Sequence, residues 1–152
     1  MAAGEYDIFA EQGTTYTLSL TYKDSTDSAI DLDSYSGRMQ VRRSINDTQA
    51  VLFLTGVTGH AGTEPGSLTG GGSTGEFTTG TTQGQTGTGG IMLNTSSAGA
   101  YNSTGGIYIS IDSTTMANVP AGNHVYDLEL VAGSTVDRIL KGRFEVNAEV
   151  TR

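Results

Sequence analysis

The sequence contains no cysteine and no tryptophan, and only two of its 152 residues are proline. Without cysteine the chain has no disulfides, no thiolate nucleophile and no cysteine-based zinc site. Bases are scarce as well: eight Lys and Arg stand against sixteen Asp and Glu, a formal charge of −8. Nucleic-acid binding depends on clustered cations that neutralise phosphates, so DNA and RNA are excluded as expected partners. An anionic membrane surface is disfavoured on the same ground. No apolar run approaches the roughly 18–20 residues that span a bilayer. The opening Met1-Ala2-Ala3-Gly4-Glu5 has neither the basic nor the apolar region of a signal peptide, so synthesis in the cytoplasm of the producing cell is expected.

What the chain does have is period-two alternation, the signature of strands with one dry and one wet face. Along residues 14–22, Tyr16, Leu18, Leu20 and Tyr22 alternate with Thr and Ser. Tyr6-Asp7-Ile8-Phe9 reads as a preceding edge strand, and 23–30 as a turn. Met39 and Val41 point inward between Arg38, Gln40 and Arg42. Val51–Leu54 and Ile91–Leu93 are short apolar strands. Ile107, Ile109 and Ile111 alternate, as do Tyr126, Leu128 and Leu130. Ala132–Thr135 is a turn, and 136–146 forms a long closing strand in which Gly142 is expected to mark a bulge or bend. Helix is expected only after Asp112, as a single capped turn that Pro120 stops. Seven to nine short strands at this spacing predict an all-β sandwich in one domain, 1–152.

Residues 56–90 break the pattern. This tract holds 13 Gly and 10 Thr, with Val57, Leu68 and Phe77 its only sizeable apolar side chains. It reads as an inserted surface loop. So few fillers cannot offset the entropy of ordering so long a backbone. A fixed path is therefore expected only where neighbouring subunits grip it, with Val57, Leu68 and Phe77 as the contacts.

Candidate reactive groups are few. The histidines are His60 and His124. Gly71-Gly72-Ser73-Thr74-Gly75 lacks the spacing of a nucleophile elbow. The Gly-rich stretch at Gly84 is not followed by the Gly-Lys-Ser/Thr of a phosphate loop. No enzyme activity, cofactor or catalytic residue is expected. Asp24, Asp27, Asp31 and Asp33 read as a solvated turn, with calcium binding the sharper alternative, although the EF-hand order is missing. Asp127 and Glu129 should face outward and pair with Arg138 and Lys141 of the next strand. Arg38, Arg42 and Arg43 form the one basic cluster: a solubilising surface, or a patch for an acidic neighbour.

Several segments together carry a resemblance. They are Tyr6-Asp7-Ile8 with Gln12-Gly13-Thr14-Thr15-Tyr16, the stretch Ile30–Arg42, Ala121-Gly122, Tyr126–Leu130, and Gly142–Val146 running into Val150-Thr151-Arg152. This ordered set resembles small virion proteins of tailed bacteriophages whose immunoglobulin-like domain is similar to the N-terminal domain of baseplate upper proteins. It covers nearly the whole chain outside 56–90. The resemblance implies an immunoglobulin-like sandwich and a virion location. It also implies other virion proteins as partners, in a homo-oligomer or symmetric assembly. Tail, baseplate or neck follows from it; head decoration suits a small acidic sandwich too. A carbohydrate-binding module is the alternative of another class, with Tyr35, Tyr101 and Tyr108 as its exposed aromatics. Immunoglobulin-like domains often carry a tyrosine corner; here His124 occupies that position, a departure from the pattern, and it reads either as a structural residue able to donate the same kind of bond to an upstream carbonyl or as an exposed one.

Overall fold

The computed structural model describes residues 3–48, 50–56, 76–79, 82–86, 90–94 and 104–151. Two β-sheets pack face to face. In chain order the strands are β1 (Gly4–Glu5), β2 (Ile8–Glu11), β3 (Tyr16–Thr21), β4 (Ser36–Arg42), β5 (Ala50–Gly56), β6 (Glu76–Thr79), β7 (Thr82–Thr86), β8 (Gly90–Leu93) and β9 (Gly106–Ile111). A short helix α1 (Ser113–Asn118) precedes β10 (Gly122–Ala132) and β11 (Thr135–Asn147). The larger sheet runs β1-β11-β10-β4-β5-β6-β7, with β2 alongside β1 on β11; the smaller runs β3-β9-β8. Both N-terminal strands lie parallel to β11, whereas every other pairing is antiparallel.

The all-β sandwich expected from alternation is present, and the inward positions fill it. Met39, Val41, Leu52, Leu54, Leu128, Leu130, Phe144 and Val146 of the large sheet meet Ile91, Leu93, Ile107, Ile109 and Ile111 of the small one. Phe144 sits at the centre, edge-on to both Tyr16 and Tyr126 with ring centroids 6.4 and 6.3 Å apart. The alternating side chains of β3 are only half-buried, because β3 is an edge strand of the smaller sheet. Where Gly37 faces Ile91 the sheets are so close that a Cβ would lie 2.9 Å from the Ile91 side chain.

Local signals hold as well. Asp112 caps α1 by accepting from the Thr115 amide at 3.0 Å, and the helix ends at Val119, before Pro120. His124 is buried, and its Nε2 donates to the Pro120 carbonyl at 2.7 Å, the upstream bond that a structural role at that corner implies. Tyr126 is inward and donates its hydroxyl to the Tyr6 carbonyl at 2.6 Å. Burial pushes its phenol well above the usual range, and that of Tyr16 up to about 12.

Two expectations need correction. The bulge in the closing strand is not at Gly142. The register slips between Leu128 and Glu129, which oppose Leu140 and Arg138, leaving Ile139 as the extra residue. Gly142 instead admits another backbone: a Cβ there would lie 2.2 Å from the Tyr6 carbonyl oxygen, where the chain passes from β1 to β2. The second correction concerns 56–90. That tract is not all loop, since β6 and β7 lie within it and extend the large sheet beyond β5. Val57 and Leu68 lie outside the described residues, and Phe77 is placed on β6 by its backbone.

A buried amide ties the loop ends together. Asn94, in the left-handed region at φ 57°, follows β8. Its Oδ1 accepts from the Leu32 amide at 3.0 Å and the Gly105 amide at 3.1 Å, and its Nδ2 donates to Asp31 at 2.8 Å. One side chain thus satisfies donors from two segments remote in sequence.

Three substitutions test these constraints in denaturant melts. Gly142→Ala should cost about 2 kcal/mol or more, because the obstructing atom is backbone and cannot step aside. Gly133→Ala, at φ 58° but in open space, should cost only about 1 kcal/mol. Asn94→Ala strands two buried amides and should cost about 2–4 kcal/mol. Equal losses at Gly142 and Gly133, or a neutral Asn94→Ala, would contradict the geometry.

Candidate functional site: the outer face of the large sheet

The strand period that buries Tyr126, Leu128 and Leu130 places Val125, Asp127 and Glu129 on the opposite face of β10. Register then sets their neighbours. Asp127 lies opposite Lys141 on one side and Gln40 on the other; Glu129 lies between Arg138 and Arg38; Val125 lies between Arg143 and Arg42. At the edge, Glu5 is level with Lys141, and Asp7 reaches Arg143. These residues, with Ile45, line a broad concavity of about 820 Å³. Five of the chain's eight cations line it, with four acids, so its balance is +1 in a chain of −8.

The charges are paired across strands. Arg38 meets Glu129 at 2.6 Å; Arg138 reaches Asp127 at 3.0 Å and Glu129 at 3.5 Å. Arg42 holds the Gln40 amide oxygen and the Asp47 carbonyl. The pairing of Arg138 with both β10 acids is as expected from sequence. Lys141 differs: it pairs with Glu5 at 3.7 Å, because β1 lies beside it on the other flank. Arg43 is exposed and lies outside this concavity.

Asp7 and Arg143 form the most complete pair. One Asp7 oxygen accepts from the Arg143 amide at 2.9 Å, and the other from Nε and Nη2 at 3.1 and 3.0 Å. These hydrogen bonds, the backbone one foremost, hold the Asp7 carboxyl below its ordinary 3.8. For Asp127 the balance is opposite. Burial raises its carboxyl, and the attraction of Arg138 only partly offsets that.

The other sequence candidates are dispersed. Asp24 turns its carboxylate on its own loop, accepting from the Thr26 amide at 2.8 Å, the Thr26 hydroxyl at 2.6 Å and the Ser28 amide at 3.0 Å. Those bonds lower its carboxyl. Asp27 pairs with Lys23 at 3.1 Å, and Asp31 accepts from Asn94 and the Asp33 amide. Among the described residues no three His, Asp or Glu side chains converge as metal ligands would. His60 and Tyr101 lie outside the described residues, and Tyr35 and Tyr108 are half-buried rather than exposed. Among the described residues the exposed aromatics are Tyr6 at 48% and Phe9 at 59%. Sequence reading passed them over because the edge strand is interrupted between β1 and β2, and Phe9 then alternates outward between buried Ile8 and Ala10. Among the described residues no helix is long and apolar enough to cross a membrane.

No protein-family model and no curated protein matches this chain.

The Asp7 pair makes a pH prediction. A carboxyl lowered in the folded state contributes stability that is full above its unfolded value, near 3.8, and is lost as pH falls through the lower folded value. Asp7→Asn should therefore lower the melting temperature at pH 6 and leave a flatter decline between pH 4 and pH 2. Parallel curves for both proteins would show that the pair is not linked to folding.

Proposed function

We propose that this chain is a structural subunit of a tailed-bacteriophage virion, made in the host cytoplasm, that acts by packing against other virion proteins. Its body is read as an immunoglobulin-like sandwich. Support for that reading comes from the strand plan: a first strand parallel to the last, β11-β10-β4-β5 in one sheet and β3-β9-β8 in the other. That order parallels the A′GFCC′ and BED sheets of a variable-type domain. The ordered resemblance from Tyr6 to Arg152 supplies the virion role.

The observation that carries the proposal is the outer face of the large sheet. Most of the chain's scarce cations are gathered there into cross-strand rows with acids. Exposed pairs of this kind contribute little to folding, about 0–1 kcal/mol each, whereas an ordered charge pattern fixes register and orientation against a partner. The reading includes no catalytic step, no cofactor and no nucleic-acid contact. Tail, baseplate or neck is the preferred position, and head decoration the alternative; a few copies per particle favour the first, and hundreds the second. A host-carbohydrate role would rest on Tyr6 and Phe9, yet neither lines the concavity.

Gradient-purified particles of the phage that encodes the chain should contain it at a fixed copy number by quantitative mass spectrometry. Its presence in infected-cell lysate but absence from washed particles would refute the virion role.

A further inference from the structure

The charges on the outer face are ordered in columns along the strands. Over the concavity, from the edge inward, they are Glu5 and Asp7, acidic; Arg138, Lys141 and Arg143 on β11, basic; Asp127 and Glu129 on β10, acidic; Arg38 and Arg42 on β4, basic. Glu145, beyond the concavity on β11, is an acid level with the neutral Asn123, which it would meet in a face-to-face pair of copies. Four columns alternating in sign have a geometric property: reversing their order exchanges every acid column with a basic one.

A second copy laid face to face about a two-fold axis parallel to the strands, between β10 and β11, makes that reversal. The first column then lies over the partner's fourth, and the second over its third. Asp7 faces Arg42, Lys141 faces Asp127, and Arg138 faces Glu129, each pair formed twice by symmetry. Glu5 meets the neutral Gln40. No like charges are opposed. A two-fold axis across the strands would instead lay each column on itself. At −8 per chain, two copies repel over most approaches, and the near-neutral lining of this face lessens that repulsion where it meets its copy.

The apolar residues obey the same operation. Phe9 is outward on β2, level with Glu145, which is level with Asn123. Ile45 follows Arg42 at the same end of the face, lines the concavity and is 86% exposed. The two therefore stand at opposite corners of one end, and reversal sets Phe9 of one copy toward Ile45 of the other.

We propose that the outer face of β1-β2-β11-β10-β4 docks a second copy of this chain in a two-fold, face-to-face dimer with the strands of the two copies running in the same direction. The inference stands on the charge pattern and holds for the isolated protein, whether or not the chain belongs to a virion. Facing concavities trap water between them, and the contact is dominated by charge. Its formation is consequently weak and falls with salt.

The test uses the full chain. Sedimentation velocity at about 20 mM salt should show the average mass rising with concentration from 15.8 kDa toward twice that value, and returning to the monomer at about 0.5 M salt. Because the sequence has no cysteine, Phe9→Cys and Ile45→Cys chains report the geometry directly. Oxidised together at low salt they should give a covalent dimer joining position 9 of one chain to position 45 of the other. High salt should cut that yield at least several-fold. Both positions are exposed, and unchanged circular dichroism and melting temperature check that the variants fold. A monomer at every concentration overturns the proposal. So does a dimer indifferent to salt, or one in which Phe9→Cys chains link to each other as readily as to Ile45→Cys chains. Particle composition is a separate measurement, so failure here leaves the virion reading to its own test.

Discussion

The register of β10 is the constraint on which both layers of this molecule depend. The strand is hydrogen-bonded on both flanks, to β11 and to β4, and its side chains alternate without interruption from His124 to Leu130. The inward set fills the sandwich, and the outward set, Val125, Asp127 and Glu129, forms the middle of the charged face. A slip of one residue would send Asp127 and Glu129 into the core and Leu128 and Leu130 into water. Burial energy therefore fixes the charge pattern: the acids stand between their cations because the leucines beside them must be dry.

The two irregularities near β10 serve that register. The extra residue at Ile139 shifts β11, so that Arg138 comes level with Glu129 while Lys141 stays level with Asp127. Gly142 then lets the N-terminal segment cross close enough for Tyr126 to reach the Tyr6 carbonyl and for Asp7 to take three hydrogen bonds from Arg143. The acid edge column exists only because that crossing is tight. Asn94 does comparable work at the other end of the sandwich, where it holds the 31–33 loop and the turn at Gly105 to the end of β8.

Function in such a molecule is a matter of surface pattern more than of reactive groups. The salt bridges on the outer face are mostly exposed, Glu129 excepted, and exposed pairs add little each to folding. Together the pairs set a fixed array of signs on a rigid sheet, and a fixed array discriminates among partners and orientations. Weak contacts of this kind gain effect when symmetry repeats them. The proposed subunit role and the proposed dimer draw on this same property but are separable claims.

The amino-acid sequence by itself determined the strands, because alternation at Tyr16–Tyr22, Arg38–Arg42, Ile107–Ile111 and Tyr126–Leu130 is a local property of a pleated backbone with one wet face. It likewise determined the Asp112 cap and the outward direction of Asp127 and Glu129, which act within a few residues; that His124 bonds the Pro120 carbonyl rather than facing water was settled by the structure. Only the tertiary structure decided what lies beside what. That Lys141 turns to Glu5 and that Phe9 emerges beside the charged face follow from parallel pairing of the first strands with the last; that Asn94 reaches Leu32 follows from the meeting of the 31–33 loop with the end of β8, and that the bulge falls at Ile139 from the pairing of β10 with β11. The first strands and the last are more than one hundred positions apart, Asn94 and Leu32 are 62 apart, and no period in the chain records which strand becomes another's neighbour.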